Sequence, residues 1–226
     1  MKFNYVTLAD HVSETDTVVV IDVLRAFSTA AFAFNEGVPE IYIVSSVDEA
    51  FVLREELHES FISGEVDGKM VEGFDFGNSP ADLLLADIRG RRMIQRTTAG
   101  TQGLARYREA KNVFAASFVC AEATADAVKA LNAASITFVV TGRREGVDGD
   151  EDQACAEYLC ELIAGRTPDA DAFLKRVAAS SWGRQFGNPS KPHFPEVDLK
   201  LCMELDRFSF PMKLERRGLR SVLLKG

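Results

Sequence analysis

Thr17-Val18-Val19-Val20-Ile21 is a continuous run of β-branched residues, and it decides the fold class of this chain. Such a run is typical of a strand that is buried on both faces of a parallel sheet. Small residues follow in a helical pattern over 28–36, and Gly37 is a suitable helix terminator. The two patterns together predict one unit of strand followed by helix.

The same alternation of strand and helix continues to about residue 150. It predicts further strands at 41–44, 61–63, 92–96, 112–116 and 136–140, and further helices at 48–59, 80–87, 100–107 and 120–131. Later helices are predicted at 151–163, 169–179 and 195–205, with a surface loop over 181–194 and an edge strand at 221–224. The predicted fold class is α/β, with a largely parallel central sheet flanked by helices, a helical C-terminal part and one domain over 1–226.

Composition narrows the class of protein. The 226 residues are 46% hydrophobic and 27% charged, as in ordinary globular proteins, and the formal net charge is −8. Nucleic-acid binders usually carry a basic face, so nucleic acid is not an expected partner. Residues 1–10 lack the pattern of a signal peptide, and no segment has the apolar length of a membrane span. We therefore expect a cytoplasmic protein without a membrane partner. The sequence does not set the oligomeric state, although acidic, compact enzymes of this size are often homodimers.

Four short polar clusters interrupt the apolar pattern where predicted strands end: 22–25, 64–67, 97–101 and 141–144. Because parallel strands run in one direction, the residues that follow them share one rim of the sheet, where open α/β sheets bind ligands. Carboxylates, arginines, hydroxyls and glycines at such a rim predict an enzyme that handles an anion. No G-x-G-x-x-G or G-x-S-x-G motif offers a different reading.

The first cluster places Asp22 at a strand end and Arg25 at the entrance to the helix that carries Ser28 and Thr29. An Asp in this position can hold Mg²⁺ while the helix amides and Arg25 hold a phosphate. The simpler alternative is that Asp22 caps its own helix and pairs with Arg25.

The second cluster contains Glu65, and the glycine-rich block at 73–80 adds a further carboxylate, Asp75. Two glycines around Asp75 allow the backbone to come close to a ligand. Asn78 and Ser79 have a simpler alternative role, because they form a good cap for the helix that follows.

The later clusters are weaker signals taken alone. Hydroxyls and a glycine at 97–101 suit a phosphate or a sulfonate, but these residues are also common in turns. Glu151 and Asp152 open a predicted helix, where acidic residues usually complement the helix dipole. By themselves, these two carboxylates fit a structural role better than ligand binding.

Four segments resemble the 2-phosphosulfolactate phosphatase (ComB) family in content and order: 21–29, 73–80, 97–101 and 151–156. The resemblance covers nearly the whole chain, and the block Gly-Phe-Asp-Phe-Gly-Asn-Ser-Pro at 73–80 is its most specific part. It implies a Mg²⁺-dependent phosphatase on the α/β fold characteristic of that family. The implied reaction is hydrolysis of 2-phosphosulfolactate to 3-sulfolactate and phosphate, a step of coenzyme M biosynthesis and sulfolactate metabolism.

The resulting hypothesis divides the candidate residues into three groups. The metal candidates are Asp22, Glu65 and Asp75, with Asp152 as a fourth, because Mg²⁺ prefers oxygen ligands. Asp22 and Arg25 are the catalytic candidates. Phosphate or substrate contacts are predicted for Ser28, Thr29, Asn78, Ser79, Thr97, Thr98, Gly100, Thr101 and Arg143. Attack by water directly and attack through an enzyme phosphate are both open.

Two positions depart from the family pattern. Val66 stands where members tend to have Arg, and Ala99 stands where they tend to have Asn. A lost charge-assisted contact is worth roughly 1.5–3 kcal/mol, enough to change substrate preference by one to two decades. Two alternatives therefore stay open: a phosphatase for another small phosphorylated acid, and a catalytically silent relative that binds an anionic metabolite.

Overall fold

The computed structural model describes residues 1–10 and 16–226. The described strands form one sheet: β1 (Lys2–Thr7), β2 (Thr17–Ile21), β3 (Ile41–Ile43), β4 (Ser60–Gly64), β5 (Arg92–Arg96), β6 (Asn112–Ala116), β7 (Ser135–Val140), β8 (Met212–Arg217) and β9 (Arg220–Lys225). Their order across the sheet is β1-β7-β2-β6-β8-β9-β3-β5-β4. The described helices are α1 (Ala26–Asn35), α2 (Val47–Glu56), α3 (Pro80–Leu84), α4 (Gly100–Tyr107), α5 (Ala121–Ala130), α6 (Asp150–Ile163), α7 (Ala170–Ala179) and α8 (Glu196–Cys202).

The predicted α/β class is confirmed, and strand β2 shows why its sequence is so uniform. Val18 and Val20 pack on the face that carries α1, whereas Val19 and Ile21 pack on the face that carries α5 and α6. All four side chains are fully buried. Burial of each such side chain contributes about 1.5–3 kcal/mol, so an alternating polar pattern would be costly here.

The sheet consists of two parallel sets of strands that run in opposite directions. Strands β1, β7, β2 and β6 form one set, and β3, β5 and β4 form the other. The hairpin of β8 and β9 joins the sets, because β8 pairs antiparallel with β6 and β9 pairs antiparallel with β3. Pairing is thus largely parallel, as predicted, but the expectation that all strands run one way is wrong.

Helix α1 connects the two sets through the core. Its residues 26–34 are all buried, which explains its small and aromatic composition. The hydrophobic cluster around it includes Val20 from the first set, Ile41 from the second and Leu223 from the hairpin. The sheet therefore wraps around α1, and strand ends from both sets meet near the start of this helix.

The C-terminal hairpin corrects the prediction of an edge strand at 221–224. Strand β9 lies inside the sheet between β8 and β3, and Val222 and Leu223 are fully buried. The edges are instead β4 and β1, and β1 and β8 were not predicted from the sequence. No helix among residues 1–10 and 16–226 combines the length and the apolar character needed to cross a membrane. The assignment of 1–226 to one domain stays a prediction.

Candidate active site

One cavity lies at the start of α1, and members of all four polar clusters line it. The space inside it, counted together with the open solvent at its mouth, is about 570 Å³. The clusters contribute Asp22, Leu24, Arg25, Glu65, Asp67, Thr98, Ala99, Thr141, Gly142 and Arg144. Gly68, Asn78, Glu151, Asp152, Trp182 and Phe194 complete the wall.

Asp22 follows β2 directly, and its carboxylate is buried in the cavity wall. Oδ1 accepts a hydrogen bond from the Ala26 amide at 3.0 Å, so Asp22 caps α1, as its simpler alternative predicted. The second half of that alternative is wrong, because Arg25 forms its ion pair with Asp198. The pKa of Asp22 is raised to about 6, chiefly by burial and also by the negative charge of Glu65, against hydrogen bonds that lower it.

Asp152 ties the first turn of α6 to the ends of two strands. Its Oδ1 accepts from the Val23 amide at 2.8 Å, and its Oδ2 accepts from the Gly142 amide at 2.7 Å and the Thr141 hydroxyl at 3.2 Å. Burial raises the pKa of Asp152 well above its usual range, and the charge of Glu151 adds to this effect. Both carboxylate oxygens therefore already have protein partners.

Glu151 has a different environment although it is the neighbouring residue. It is 1% exposed and lines the cavity, yet its Oε2 accepts no hydrogen bond from the described residues. Burial raises the pKa of Glu151 to about 7, with the charges of Asp22 and Asp148 acting in the same direction. A buried acceptor without a donor is costly, so this oxygen is suited to a cation or a ligand.

Glu65 holds two loops together at the opposite side of the cavity. Its Oε1 accepts from the Thr98 amide at 2.6 Å, and its Oε2 accepts from the Gly68 amide at 2.5 Å and the Thr98 hydroxyl at 3.0 Å. The Thr98 hydroxyl in turn accepts from the Asp67 amide at 2.8 Å. These bonds fix the loops after β4 and β5 against each other.

Arg25 is held by the segment that the sequence indicates as a surface loop. Its guanidinium Cζ lies 5.5 Å from the ring centre of Phe186 and 5.2 Å from that of Phe194. Phe194 and Trp182 line the cavity, and all three aromatic residues fall within 181–194. The prediction of a surface loop is therefore wrong for these side chains, which help to build the site.

Asn78 and Ser79 lie together before α3 but differ in their contacts. The Asn78 side chain lines the cavity, and its Oδ1 has no hydrogen-bond partner among the described residues. The Ser79 hydroxyl accepts from the Asp82 amide at 3.2 Å and caps α3, as the simpler alternative predicted. The same hydroxyl donates to Asp198 at 2.9 Å.

Asp75 is a predicted metal ligand that the structure places outside the cavity wall. Its Oδ1 pairs with Arg54 at 3.0 Å, and its Oδ2 accepts from the Ile62 amide at 2.8 Å. Asp75 therefore has a structural role in the glycine-rich block, because its carboxylate binds this block to β4 through the Ile62 amide. Asp75 is thus not brought together with Asp22.

Several predicted phosphate-binding residues use their hydroxyls for hydrogen bonds to the protein backbone. The Thr97 and Thr101 hydroxyls each accept from the other residue's amide, at 3.1 and 2.9 Å, and so fix the start of α4. The Ser28 hydroxyl donates to the Val23 carbonyl at 2.8 Å. Thr29 is fully buried in α1 and does not line the cavity. Thr98 is the hydroxyl of the 97–101 turn that lines it.

Gly100 and Arg143 are the two remaining residues that were predicted to bind phosphate or substrate. A Cβ on Gly100 would lie 2.8 Å from Asp22 Oδ2, so only glycine allows this turn to approach the carboxylate. Arg143 is exposed and lies outside the cavity wall, whereas its neighbour Arg144 lines it. The Arg144 guanidinium lies 4.9 Å from the ring centre of Trp182, within cation–π distance.

Sequence reasoning missed several residues of the site. Asp198, Phe186 and Phe194 are far from the four clusters in sequence, and no local pattern marked them. Glu151 had a signal, an acidic residue at the start of a helix that follows a strand, but the helix dipole accounted for it equally well.

The charges in the cavity wall are strongly unequal. Five carboxylates line it, from Asp22, Glu65, Asp67, Glu151 and Asp152, against the two guanidinium groups of Arg25 and Arg144. An anionic ligand therefore needs added positive charge or protonated carboxylates to bind here. Within the described ranges no group of three or more His, Cys, Asp and Glu residues is arranged to hold a metal ion by itself. Any cation here must complete its coordination with water or ligand oxygens.

Comparison with known proteins gives a consistent result. A family model described as 2-phosphosulpholactate phosphatase matches residues 5–216. The chain is 33% identical over 204 residues to a Bacillus subtilis protein named probable 2-phosphosulfolactate phosphatase, covering 90% of this chain and 89% of that one. Proteins of the same name show 34% identity over 223 residues in Caldicellulosiruptor saccharolyticus, covering 90% of each chain, and 38% over 155 residues in Carboxydothermus hydrogenoformans, covering 67% and 62%. The chain belongs to the 2-phosphosulpholactate phosphatase family.

Proposed function

We propose that this chain hydrolyses 2-phosphosulfolactate to 3-sulfolactate and phosphate and that it uses Mg²⁺. Membership of the family indicates the class of enzyme, a phosphatase that acts on phosphoric monoesters. The names of the relatives supply the substrate. The observation that carries the proposal is the cavity in which Asp22 and Glu151, two buried carboxylates, lie with Arg25.

Asp22 and Glu151 are the residues that would hold the metal ion. Glu151 Oε2 and Asn78 Oδ1 are buried acceptors without partners, and oxygen donors of this kind suit Mg²⁺. This ion usually keeps several waters and binds one or two carboxylates plus substrate phosphate, so a set of three protein ligands is not required. When bound, Mg²⁺ supplies Lewis-acid polarisation of the phosphoryl group and a more acidic water. Glu65 and Asp152, whose oxygens are engaged with the protein, would shape the site around it.

Arg25 is the residue that would bind the phosphoryl oxygens. Its Nη1 is paired with Asp198, and this is its one side-chain hydrogen bond within the described residues. The other guanidinium nitrogens are therefore available to an anion in the cavity, and charge-assisted bonds from arginine suit phosphate oxygens. Arg25 would orient the phosphoryl group and stabilise its developing charge.

Arg144 is suited to the other acidic groups of the substrate. 2-Phosphosulfolactate carries a carboxylate and a sulfonate besides its phosphate. Arg144 lines the cavity but is exposed, and its stacking on Trp182 limits the directions that the guanidinium can adopt. An exposed arginine at this position would recognise a distal anion without changing the phosphoryl chemistry.

Phosphate release is the direct test of the proposal. We expect release from 2-phosphosulfolactate with Mg²⁺, no release with EDTA, and recovery when excess Mg²⁺ is added back. Asp22→Asn is expected to abolish turnover, whether Asp22 binds the metal or attacks phosphorus. Asp126→Asn, which changes an exposed carboxylate on α5, is the matched control. Full activity of Asp22→Asn, or activity that is insensitive to EDTA, would contradict the mechanism.

A different phosphorylated acid is the second candidate substrate, and Ala99 is the observation that favours it. Ala99 lines the cavity and offers no polar group there, whereas Val66 is 37% exposed and lies outside the wall. A panel of small phosphorylated acids separates the two candidates. Release from none of them would favour the silent binding relative.

The remaining expectations stay predictions. They are a role in coenzyme M biosynthesis or sulfolactate metabolism, a cytoplasmic location, a homodimer and the absence of a nucleic-acid partner. The net charge of −8 supports the last of these.

A further inference from the structure

Arg25 is held in place by a residue from a distant part of the chain. Its Nη1 donates to Asp198 Oδ2 at 2.6 Å, across 173 positions of sequence. The two side chains are only 4% and 0% exposed. Arg25 stands at the start of α1, and Asp198 lies in α8, so the pair joins the cavity wall to the C-terminal helices.

Asp198 is itself fixed by a third element. Its Oδ1 accepts from the Ser79 hydroxyl at 2.9 Å and from the Ala81 amide at 3.2 Å, both at the start of α3. One carboxylate oxygen therefore faces α3 while the other faces Arg25. This arrangement leaves Asp198 little freedom to follow the guanidinium, so Arg25 must adopt the position that Asp198 sets.

Aromatic rings restrict the same guanidinium. Phe186 and Phe194 lie 5.5 and 5.2 Å from Arg25 Cζ, and their ring centres are 5.2 Å apart. The rings exclude water from the pair. A buried ion pair adds little net stability, because the cost of desolvating both charges offsets their attraction, but it does fix the orientation of the two side chains. Packed hydrophobic residues would stabilise this region as well as the ion pair does, so stability alone does not account for it.

We propose that Asp198 is a positioning residue, which acts through Arg25 to present the free guanidinium donors to the phosphoryl group of the substrate. The proposal rests on the proposed function for the identity of the anion. Asp198 does not line the cavity, whereas Arg25 does. Its effect on the reaction is therefore indirect, through the place and direction of the Arg25 donors.

A double-mutant cycle tests this dependence. Asp198→Asn is expected to lower kcat/KM about 10- to 100-fold, the range found when a supporting partner of a functional group is removed. Arg25→Gln is expected to lower it at least as much, and the double variant should match Arg25→Gln within about threefold, because Asp198 has no role without Arg25. Losses that multiply in the double variant would overturn the proposal.

A matched control separates positioning from loss of stability. Asp206→Asn removes a carboxylate that is only partly buried and that accepts from the Glu122 amide outside the cavity. We expect this variant to change the melting temperature without changing kcat/KM. Asp198→Asn kinetics that equal those of Asp206→Asn at a temperature where both are folded would show a merely structural role.

Two further measurements keep the proposal testable if a variant or the reaction fails. Should Asp198→Asn not fold, Asp198→Glu retains the charge and displaces the carboxylate, and the same loss of kcat/KM is expected. Should the wild type release no phosphate from any substrate, the proposed function fails, and binding of inorganic phosphate with Mg²⁺ then provides the readout. A Kd that rises about tenfold in Asp198→Asn supports the positioning role, and an unchanged Kd or unchanged Asp198→Glu kinetics overturns it.

Discussion

The Glu151 carboxylate lines the cavity with one oxygen, Oε2, that accepts no hydrogen bond from the described residues. Glu151→Gln keeps the shape of the side chain and removes its charge. We expect kcat/KM to fall at least about 100-fold and the Mg²⁺ concentration for half-maximal activity to rise about tenfold or more. Effects of this size are typical when a metal ligand, or a residue that orients one, is removed. Phosphate release over a Mg²⁺ titration measures both.

Glu161→Gln is the control for this change, because Glu161 lies on the same helix and pairs at the surface with Arg166. We expect it to leave activity unchanged. Equal and small effects of the two substitutions would show that Glu151 has no part in the site.

Arg144 is expected to act on substrate selection. Arg144→Gln should raise KM for 2-phosphosulfolactate about tenfold, the equivalent of about 1.4 kcal/mol, because one charged contact to the distal anion is lost. For 2-phospholactate, which lacks the sulfonate, we expect a smaller rise. Steady-state kinetics with both substrates measures the difference. The exposed neighbour Arg143 provides the matched variant Arg143→Gln, and a larger effect there would assign the contact to Arg143.

At the residue scale, the sequence was informative where a side chain follows directly on a strand. The positions of Asp22, Glu65 and Thr98 at the rim of the sheet could be predicted, because each residue follows closely on a strand whose end is clear from the apolar pattern. Asp198 could not, because its partner is 173 positions away and nothing around it in sequence requires a buried carboxylate. The choice between Glu151 and Asp152 also needed the structure, since adjacent helical residues point in different directions.

At the scale of elements, the end of β7 and the first turn of α6 pack closely at Gly142. A Cβ on this residue would lie 2.1 Å from Glu151 Oε1 and 3.1 Å from Asp152 Oδ2. Gly142→Ala should therefore displace the Glu151 carboxylate and lower kcat/KM about tenfold or more, because small displacements of a functional group are costly. Enzyme assays and thermal melts give the two readouts.

Gly77→Ala is the comparison for this substitution. A Cβ on Gly77 would meet only the Met70 Cβ at an ordinary distance of 3.5 Å. We expect near-normal activity from it. If Gly142→Ala also has normal activity, Glu151 can move without consequence and is not a metal ligand.

The start of α4 offers a test of capping against phosphate binding. The Thr101 hydroxyl accepts from the Thr97 amide and donates to the Thr97 carbonyl, both at 2.9 Å. Thr101→Val retains the shape and removes these bonds, so the free energy of unfolding should fall by about 1–2 kcal/mol. Urea denaturation measures it.

Thr124→Val is the matched control for the cap, because the Thr124 hydroxyl donates to the carbonyl and the Sγ of Cys120, one turn earlier, and accepts from no backbone amide. A change within about 0.5 kcal/mol is expected there. Unchanged stability of Thr101→Val together with a raised KM would show that the Thr101 hydroxyl binds phosphate and does not cap α4.

The elements themselves could largely be predicted, with one informative exception. Strands such as β2 and helices such as α4 have apolar patterns of clear period, so their bounds agree with the sequence to within a few residues. Strand β8 ends in charged residues, and its second half is exposed. Its sequence therefore does not look like that of a strand in the middle of a sheet. Its place depends on pairing with β6 and β9, contacts that local sequence does not encode.

At the scale of the whole molecule, the two strand sets explain why the four polar clusters meet in one cavity although the premise of a single strand direction was wrong. The clusters after β2 and β7 share a rim, as parallel strands require, but those after β4 and β5 belong to the set that runs the other way. They reach the same cavity because the sheet wraps around α1. The direction of the second set depends on the C-terminal hairpin, so it could not be read from the strands alone.

The buried carboxylates make the stability of the whole molecule depend on pH and on cations. The pKa values of Asp22 and Glu151 are raised to about 6 and about 7, so the folded metal-free protein retains protons that the unfolded chain has lost. The stabilisation from the neutral forms is present below about pH 4 and is lost as pH rises through these values. Carboxylates with lowered pKa, such as Glu40, act in the opposite direction, but mainly below pH 5.

We therefore expect the melting temperature in EDTA to fall by about 5–10 °C between pH 5 and pH 8, given about 2–4 °C per kcal/mol for a chain of this size. Added Mg²⁺ should reverse most of this fall at pH 8, because it binds the ionised carboxylates of the folded state. NaCl at the same ionic strength is the control for screening, and Glu151→Gln should flatten the pH dependence in EDTA. A melting temperature that rises from pH 5 to pH 8, or one that responds equally to Mg²⁺ and NaCl, would contradict a cation site formed by Asp22 and Glu151.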